Sequence, residues 1–273
     1  MGRFSEFFSR RKKFEPEGHV VSGRLAEFRL MKLTRAVAGD ALVLEGIRLP
    51  DPEEGGRREI DMVIATKKEI LFVEQKHWSG SFTITSEGRF FQKRKNGGTL
   101  MHKDIVAWTC RKGDLLCDLH ESRTDKAAPP SKVILVFSNK NLEWEPLPDE
   151  VPAEAYDEMG FINMVEKMEK SAPDKDLKET LLGFGTWDTI YLNGGKTVIG
   201  DILEYPFQKE NCSIKHSGIL GLLTGPKSVL TTGHEITDQT GPLVSVVGED
   251  GSRIIPFANI SKIEFSNPRA EWG

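Results

Sequence analysis

No apolar run in the 273 residues approaches the roughly 20 needed to span a bilayer, so no membrane-spanning helix is expected. Cysteine is scarce. Cys110, Cys117 and Cys212 make an odd number with no C-x-x-C pair, which argues against a disulfide scaffold and against a cysteine-rich zinc module. That usage points to a reducing, intracellular compartment, the cytoplasm. The first residues, MGRFSEFFSRRKKFEP, carry no apolar stretch after their charges, so they do not read as a secretory signal. Glu6 stands where a myristoylation motif wants Ser or Thr. The glycine-containing stretch WDTIYLNGGKTVIG lacks the G-x-x-x-x-G-K-[ST] spacing of a phosphate-binding loop, and its glycines read as turn residues. Internal repeats and low-complexity tracts are also missing.

What is present suffices for a globular protein. Hydrophobic residues make up 38% and charged residues 29%, which excludes wholesale disorder. The length suits one large and one small domain. The net charge of −4 hides a strong asymmetry. Between Arg89 and Lys112, seven basic residues face a single acid, Asp104, whereas Glu143–Glu158 holds seven acids and no Lys or Arg. Near-neutrality overall therefore leaves room for a local nucleic-acid surface.

Three regions are expected. Residues 1–17 are a basic and aromatic segment, either a frayed terminus or a membrane-surface or nucleic-acid anchor. Residues 18–183 alternate helix-period and strand-period sequence, the pattern of an α/β domain. A helix with Ser22 as N-cap and a stripe of Leu25, Phe28, Met31 or Lys32, and Arg35 ends at Gly39-Asp40. ALVLEGIRL reads as a strand, REIDMVIATKKEILFVEQK as two strands around Lys67-Lys68, and SFTITSEGRFFQKR as a further pair. KDIVAWTCRKGDLLCDLHE is a helix with a stripe through Ile105, Trp108 or Thr109, Leu115 or Leu116, and Leu119. KVILVFS is a buried strand, and two short helices, near Asp157–Lys170 and Asp174–Gly183, close the region. From Trp187 to Gly273 the chain becomes short strands with Asn-Gly and Asp-Gly turns, the pattern of a small antiparallel β-barrel of about five strands. That block resembles an Sm-like or SH3-like barrel by strand pattern, a fold that binds RNA, peptides or its own copies. Self-association or a protein partner through it is the corresponding expectation.

The hairpin carries the chemistry. With a turn at Lys67-Lys68, paired positions sum to 135, which sets Val63 opposite Phe72 and Asp61 opposite Glu74. Lys76 falls on the same face. Ile60, Met62, Ile64, Leu71 and Val73 form the other face, so the hairpin is apolar on both sides and buried. Facing carboxylates repel, and burial raises the cost. A divalent cation relieves it, because Mg²⁺ takes oxygen ligands and keeps waters for which substrate phosphate can substitute. An adjacent lysine can activate water or stabilise developing phosphorane charge. The competing reading is a buried ionic cluster without catalysis. The other acid-x-Lys triplet, Asp176-Leu177-Lys178, sits in a helical run with no hairpin partner.

Asp61 followed by Glu74-Gln75-Lys76 resembles the D…(D/E)-x-K motif of the PD-(D/E)XK nuclease superfamily. More closely, IDMVIATKKEILFVEQKHWSG resembles the core of the nuclease-related domain (NERD) family, and Ser22-Gly23-Arg24-Leu25-Ala26-Glu27 is similar to that family's helix signature. VILVFS with Ser138-Asn139 matches its last core strand, and the resemblance spans Glu17–Lys170. It implies a restriction-endonuclease-like core, a mixed sheet flanked by helices, and Mg²⁺- or Mn²⁺-dependent hydrolysis of DNA or RNA. It makes Glu27, Asp61, Glu74 and Lys76 the catalytic residues, with Asp61 and Glu74 holding metal. Two departures concern substrate positioning. His77 stands where the family commonly has Asn, and MHKDIVAWTCRKGDLL lacks its Asn-Pro-x-x-Gln, with Asp104, Lys112 and His102 as replacements. Lys93, Arg94 and Lys95, near Phe90 and Phe91, are expected either to contact phosphates or to guard an edge strand. Trp78 reads as a packing residue, and His102 and His120, which lack any metal-ligand spacing, as solvated or packing histidines. The alternative function is a catalytically silent module that binds nucleic acid or acts as a scaffold.

Overall fold

The computed structural model describes residues 18–53, 57–85, 89–95, 97–102, 104–216, 228–231, 233–236, 240–247, 249 and 251–266. The N-terminal anchor reading, residues 1–17, and the strand expected in SGILGLLT lie outside them. The described chain divides into two compact units between Gly185 and Thr186.

The first unit is α/β. Its main sheet has five strands: β1 (Leu42–Pro50), β2 (Arg57–Ala65), β3 (Ile70–Lys76), β7 (Ser131–Phe137) and β9 (Glu154–Asp157), in the order β1-β2-β3-β7-β9. The first three pair antiparallel, while β3, β7 and β9 run parallel, so the sheet is mixed. Central strands β3 and β7 are apolar on both faces because helices cover both. On one face, α1 (Gly18–Val37) and α3 (Glu158–Lys167) pack Leu30, Met31, Phe161 and Val165 against Met62, Ile64, Leu71 and Val73. On the other, α2 (Ile105–Thr124) and α4 (Lys175–Leu182) pack Leu116, Leu177 and Leu181 against Val63, Ala65, Ile70 and Phe72. Between β3 and α2 the chain forms β4 (Gly80–Ile84), β5 (Phe90–Lys93) and β6 (Thr99–His102). With β8 (Leu142–Trp144) these make a second sheet ordered β6-β5-β4-β8 over a cluster of Phe82, Phe90 and Phe137.

The first long helix is rotated from its expected face, and the second buries only part of its expected stripe. α1 begins at Gly18, so Ser22 lies inside it rather than capping it. It buries Ala26, Leu30, Met31 and Thr34, with Ala38 just past its end, whereas Leu25 and Phe28 are 62% and 66% exposed. Two helical stripes coexist in this sequence, and the one with alanines near both ends is the one laid on the sheet. α2 buries Thr109 and Leu116 of the expected stripe together with Val106, Lys112, Gly113 and His120, while Ile105 and Leu119 at its ends are half-buried. Its N-terminus is set by Asp104, which accepts the Ala107 N–H at 2.9 Å. A Cβ on Gly113 would lie 2.6 Å from the Phe72 ring, so glycine lets α2 press onto β3 at that level.

The second unit is an antiparallel sheet of eight short strands: β10 (Asp188–Leu192), β11 (Thr197–Glu204), β12 (Cys212–His216), β13 (Ser228–Leu230), β14 (Glu235–Ile236), β15 (Leu243–Val246), β16 (Ser252–Ile254) and β17 (Ile260–Glu264). The order is β14-β13-β12-β17-β10-β11-β15-β16, curled over a core including Ile190, Val244, Phe257 and Ile263. The expectation of about five strands in a barrel is corrected. The described residues form eight strands, of which β12 and β14 lie outside the stretches that read as strands, and the ladder ends at β14 and β16 rather than closing among those residues. β12 reads CSIKH, in which a cysteine and one isoleucine are the only apolar residues, too few to register as a strand from pattern alone.

Candidate active site

The hairpin register matches the sequence arithmetic over its core: Met62 pairs Val73, Val63 pairs Phe72, Ile64 pairs Leu71 and Ala65 pairs Ile70. Pairing stops there, so Asp61 does not face Glu74 across a continuous ladder. Instead the Asp61 carboxylate takes the place of a backbone acceptor, its Oδ2 accepting the Gln75 N–H at 2.8 Å. On its other side, the β1–β2 pairing passes over Gly46 and Asp61. Gly46 has φ +59°, the left-handed region that glycine enters without steric cost. The alternation of faces breaks at this level. Leu42 and Leu44 before Gly46, and Ile47 and Leu49 after it, all pack with the Phe72 cluster. Ile60, expected on the face of Met62, joins that cluster as well. A bulge-like break of this kind re-aims the side chain beside it, and here that side chain is Asp61.

Glu74 is 9% exposed and lies between two ammonium groups. Lys76 Nζ donates to Oε1 at 2.5 Å and Lys112 Nζ to Oε2 at 2.6 Å. Thr109, one helical turn before Lys112 on α2, donates its hydroxyl proton to the Ile105 carbonyl at 2.8 Å and stands 3.4 Å from Glu74 Oε2. Burial pushes the Glu74 carboxyl up, but Lys76 and Lys112 outweigh it and hold it below the usual carboxylate range. Burial likewise opposes the charge on Lys76, and Glu74 and Asp61, with a smaller contribution from Glu27, overcome it and raise its pKa. Asp61 receives no ion pair of its own among the described residues. Burial first, then repulsion from Glu74, lift its carboxyl to about 7 despite the nearby lysines and the Gln75 N–H.

Asp61, Glu74 and Lys76 thus act on one another at the end of the hairpin, and Glu27, on the exposed side of α1, reaches them through its field. Lys112 and Thr109 also belong to the site. A lysine on the otherwise apolar stripe of α2, one turn after a threonine, was the available signal for them. Of the three replacements considered for the family's missing positions, Lys112 contacts Glu74, Asp104 caps α2, and His102 stacks on Trp78 with ring centroids 4.0 Å apart. His77 Nδ1 is 3.0 Å from Ser138 Oγ, tying the end of β3 to the end of β7. His120 packs in the core against Thr180, as a packing histidine should.

Glu74, Lys76 and Lys112 open onto a cavity of about 430 Å³. Trp78, His102, Ile105 and Trp108 supply its apolar lining. Beside it, buried Asp51 accepts from Arg58 Nε at 2.8 Å and from Arg111 at 3.0 Å, and both guanidinium groups lie within 6 Å of the Trp108 ring centroid. Lys93, Arg94 and Lys95 are all exposed, at the end of β5 and in the turn into β6. They stand outside the Glu74 cluster, although Arg94, with burial acting first and Lys76 adding to it, depresses the His102 pKa. No helix among the described residues is long and apolar enough to cross a membrane.

Comparison with curated proteins and with solved structures returned no match. The family model for the nuclease-related domain matches residues 22–137, from α1 through the hairpin and α2 to the end of β7. This stretch of the chain is therefore similar to the nuclease-related domain family.

Proposed function

We propose that the first unit hydrolyses phosphodiester bonds in nucleic acid with the help of Mg²⁺ or Mn²⁺, in a site of the PD-(D/E)XK kind. The observation that carries this reading is the imbalance at the end of the hairpin. Both lysines pair with Glu74, and Asp61 is left beside it with a carboxyl lifted to about 7. A hard cation suits that donor set, because both available groups are carboxylates. With two carboxylates as its protein ligands, such an ion would complete its shell with waters or oxygens of a substrate phosphate. Asp61 and Glu74 would hold it. When bound, such an ion supplies Lewis-acid stabilisation of charge developing on phosphoryl oxygens.

The chain's own groups do the remainder. Lys76 is an ammonium, so it orients the attacking water by donating to it and faces the charge that develops on phosphorus-bound oxygens. Lys112 holds Glu74 in place from α2, a positioning role, and Glu27 supports the charge on Lys76. Lys93, Arg94 and Lys95 contact backbone phosphates away from the scissile bond.

The test is cleavage of labelled single- and double-stranded DNA and RNA in Mg²⁺ or Mn²⁺. The parent should cleave at least one substrate, and chelation should stop it. Lys76→Met should lose nearly all cleavage while still binding nucleic acid. Neutralising Lys93, Arg94 and Lys95 together should weaken binding on every sequence and flatten its salt dependence. A parent that binds all four substrates and cleaves none with either ion overturns the reading, and leaves a binding module whose lysines merely neutralise buried carboxylates.

A further inference from the structure

We propose that the cavity beside Glu74 and Lys76 receives one unstacked base, so that single-stranded nucleic acid is the form this site takes. The inference rests on the nuclease reading and names its substrate class. The indole of Trp78 and the imidazole of His102 stack with centroids 4.0 Å apart and planes inclined by 16°. Both line the cavity, together with Trp108 and Ile105. At about 430 Å³ the space falls within the roughly 300–1,000 Å³ usual for small-ligand sites. In a duplex the ring faces are covered by neighbouring bases, and exposing one costs a few kcal/mol; a single strand offers them freely.

The shelf is built before any ligand arrives. Trp78 stands edge-on to Phe82 and Phe90, at 5.9 and 6.3 Å, and so is fixed by the core of the second sheet. His102 Nε2 lies 3.0 Å from Gln92 Oε1, and Gln92 in turn donates to the Ser79 carbonyl at 2.8 Å. The same β5–β6 hairpin presents exposed Lys93, Arg94 and Lys95. One element thus supplies a stacking ring at its base and phosphate-binding charge at its tip, the pairing of features by which single strands are bound without sequence readout. Lys76 and Glu74, on the polar side of the cavity, then stand where the backbone joining that base to the next would run.

Binding is measured by fluorescence anisotropy with the divalent cation withheld, so that cleavage does not enter. The probes are labelled oligonucleotides of equal length: single-stranded DNA, single-stranded RNA, a DNA duplex, and an abasic strand that keeps the phosphates but has no bases. The base-bearing single strands should bind about 5- to 150-fold more tightly than the abasic strand, the equivalent of 1–3 kcal/mol for a stacked base. They should also bind more tightly than the duplex. His102→Ala should bring them close to the abasic level, while His102→Phe, which restores a ring without the Gln92 hydrogen bond, should keep the preference. The two single-stranded arms decide between DNA and RNA. Equal binding of abasic and base-bearing strands, a duplex bound as tightly as a single strand, or an unchanged preference in folded His102→Ala overturns the inference. Cleavage of every substrate without base preference would remove this inference and leave the nuclease reading. Base-dependent binding without cleavage in Mg²⁺ would do the reverse.

Discussion

Replacing Lys112 by methionine keeps most of the side chain's volume and removes its charge, so its effect measures the ionic contact with Glu74. Lys112 is 9% exposed and its Nζ is 2.6 Å from Glu74 Oε2. Breaking a buried pair costs about 3–5 kcal/mol, because the remaining charge is left without compensation. Here Lys76 still holds Oε1 at 2.5 Å, which places the expected loss at the lower end, about 3 kcal/mol. In a unit of this size that lowers Tm by roughly 6–12 °C. Urea denaturation followed by circular dichroism measures it, and an unchanged m-value shows that the native and unfolded states keep their compactness. Mg²⁺ should stabilise the variant more than the parent, since Lys112 no longer competes for Glu74. A loss below about 1 kcal/mol would mean that Lys76 alone neutralises the carboxylate, and would refute the assignment of Lys112 to the site.

Two further outcomes follow from the packing and the charges. Gly113→Ala should destabilise the protein by about 1–3 kcal/mol although alanine is the better helix former, because its Cβ would meet the buried Phe72 ring at 2.6 Å; calorimetry showing a stabilised variant would contradict this. With metal withheld, stability should fall as pH rises from about 4 to about 7. Folded Asp61 keeps, up to about 7, a proton that the unfolded chain has already released at its ordinary 3.8, so the stability this gives is lost through that window, on the order of 1.4 kcal/mol for each pH unit crossed. Glu74, held below its ordinary 4.5, acts oppositely, but only below about that pH, so it leaves the rest of the window to Asp61. Asp61→Asn should remove Asp61's share of that fall in pH-dependent urea melts, leaving only the smaller contributions of Glu45, His77 and His102.

The hairpin was legible because its two constraints agree. Strand alternation has a period of two, and a turn at Lys67-Lys68 fixes which residues meet, so the pairing from Met62–Val73 to Ala65–Ile70 follows from the sequence. The break at Gly46 and Asp61 did leave a mark that the strand reading passed over, since the apolar positions shift from Leu42 and Leu44 to Ile47 and Leu49 across an isolated glycine. It is what turns Asp61 away from the ladder and toward Gln75. Helix positions were legible and helix rotations were not. α1 offers a stripe through Leu25 and Phe28 and another through Ala26 and Leu30, and the choice depends on how closely the backbone must approach the sheet. The same ambiguity on α2 hid Lys112, which only the observed rotation brings to Glu74. In the second unit, β12 and β14 are too short and polar to stand out, and neighbouring strands rather than local sequence make them extended.

The claim that Asp61 and Glu74 form a divalent-cation site is tested most directly by isothermal titration of Mg²⁺ into the folded protein at pH 7, repeated in two buffers of different ionisation enthalpy. Asp61, with its carboxyl lifted to about 7, is about half protonated at that pH, so binding must expel its proton. The account predicts a single site, release of about half a proton per ion, and loss of both the binding and the release in Asp61→Asn. A titration with no heat in either buffer, or binding that persists unchanged in Asp61→Asn, would contradict it.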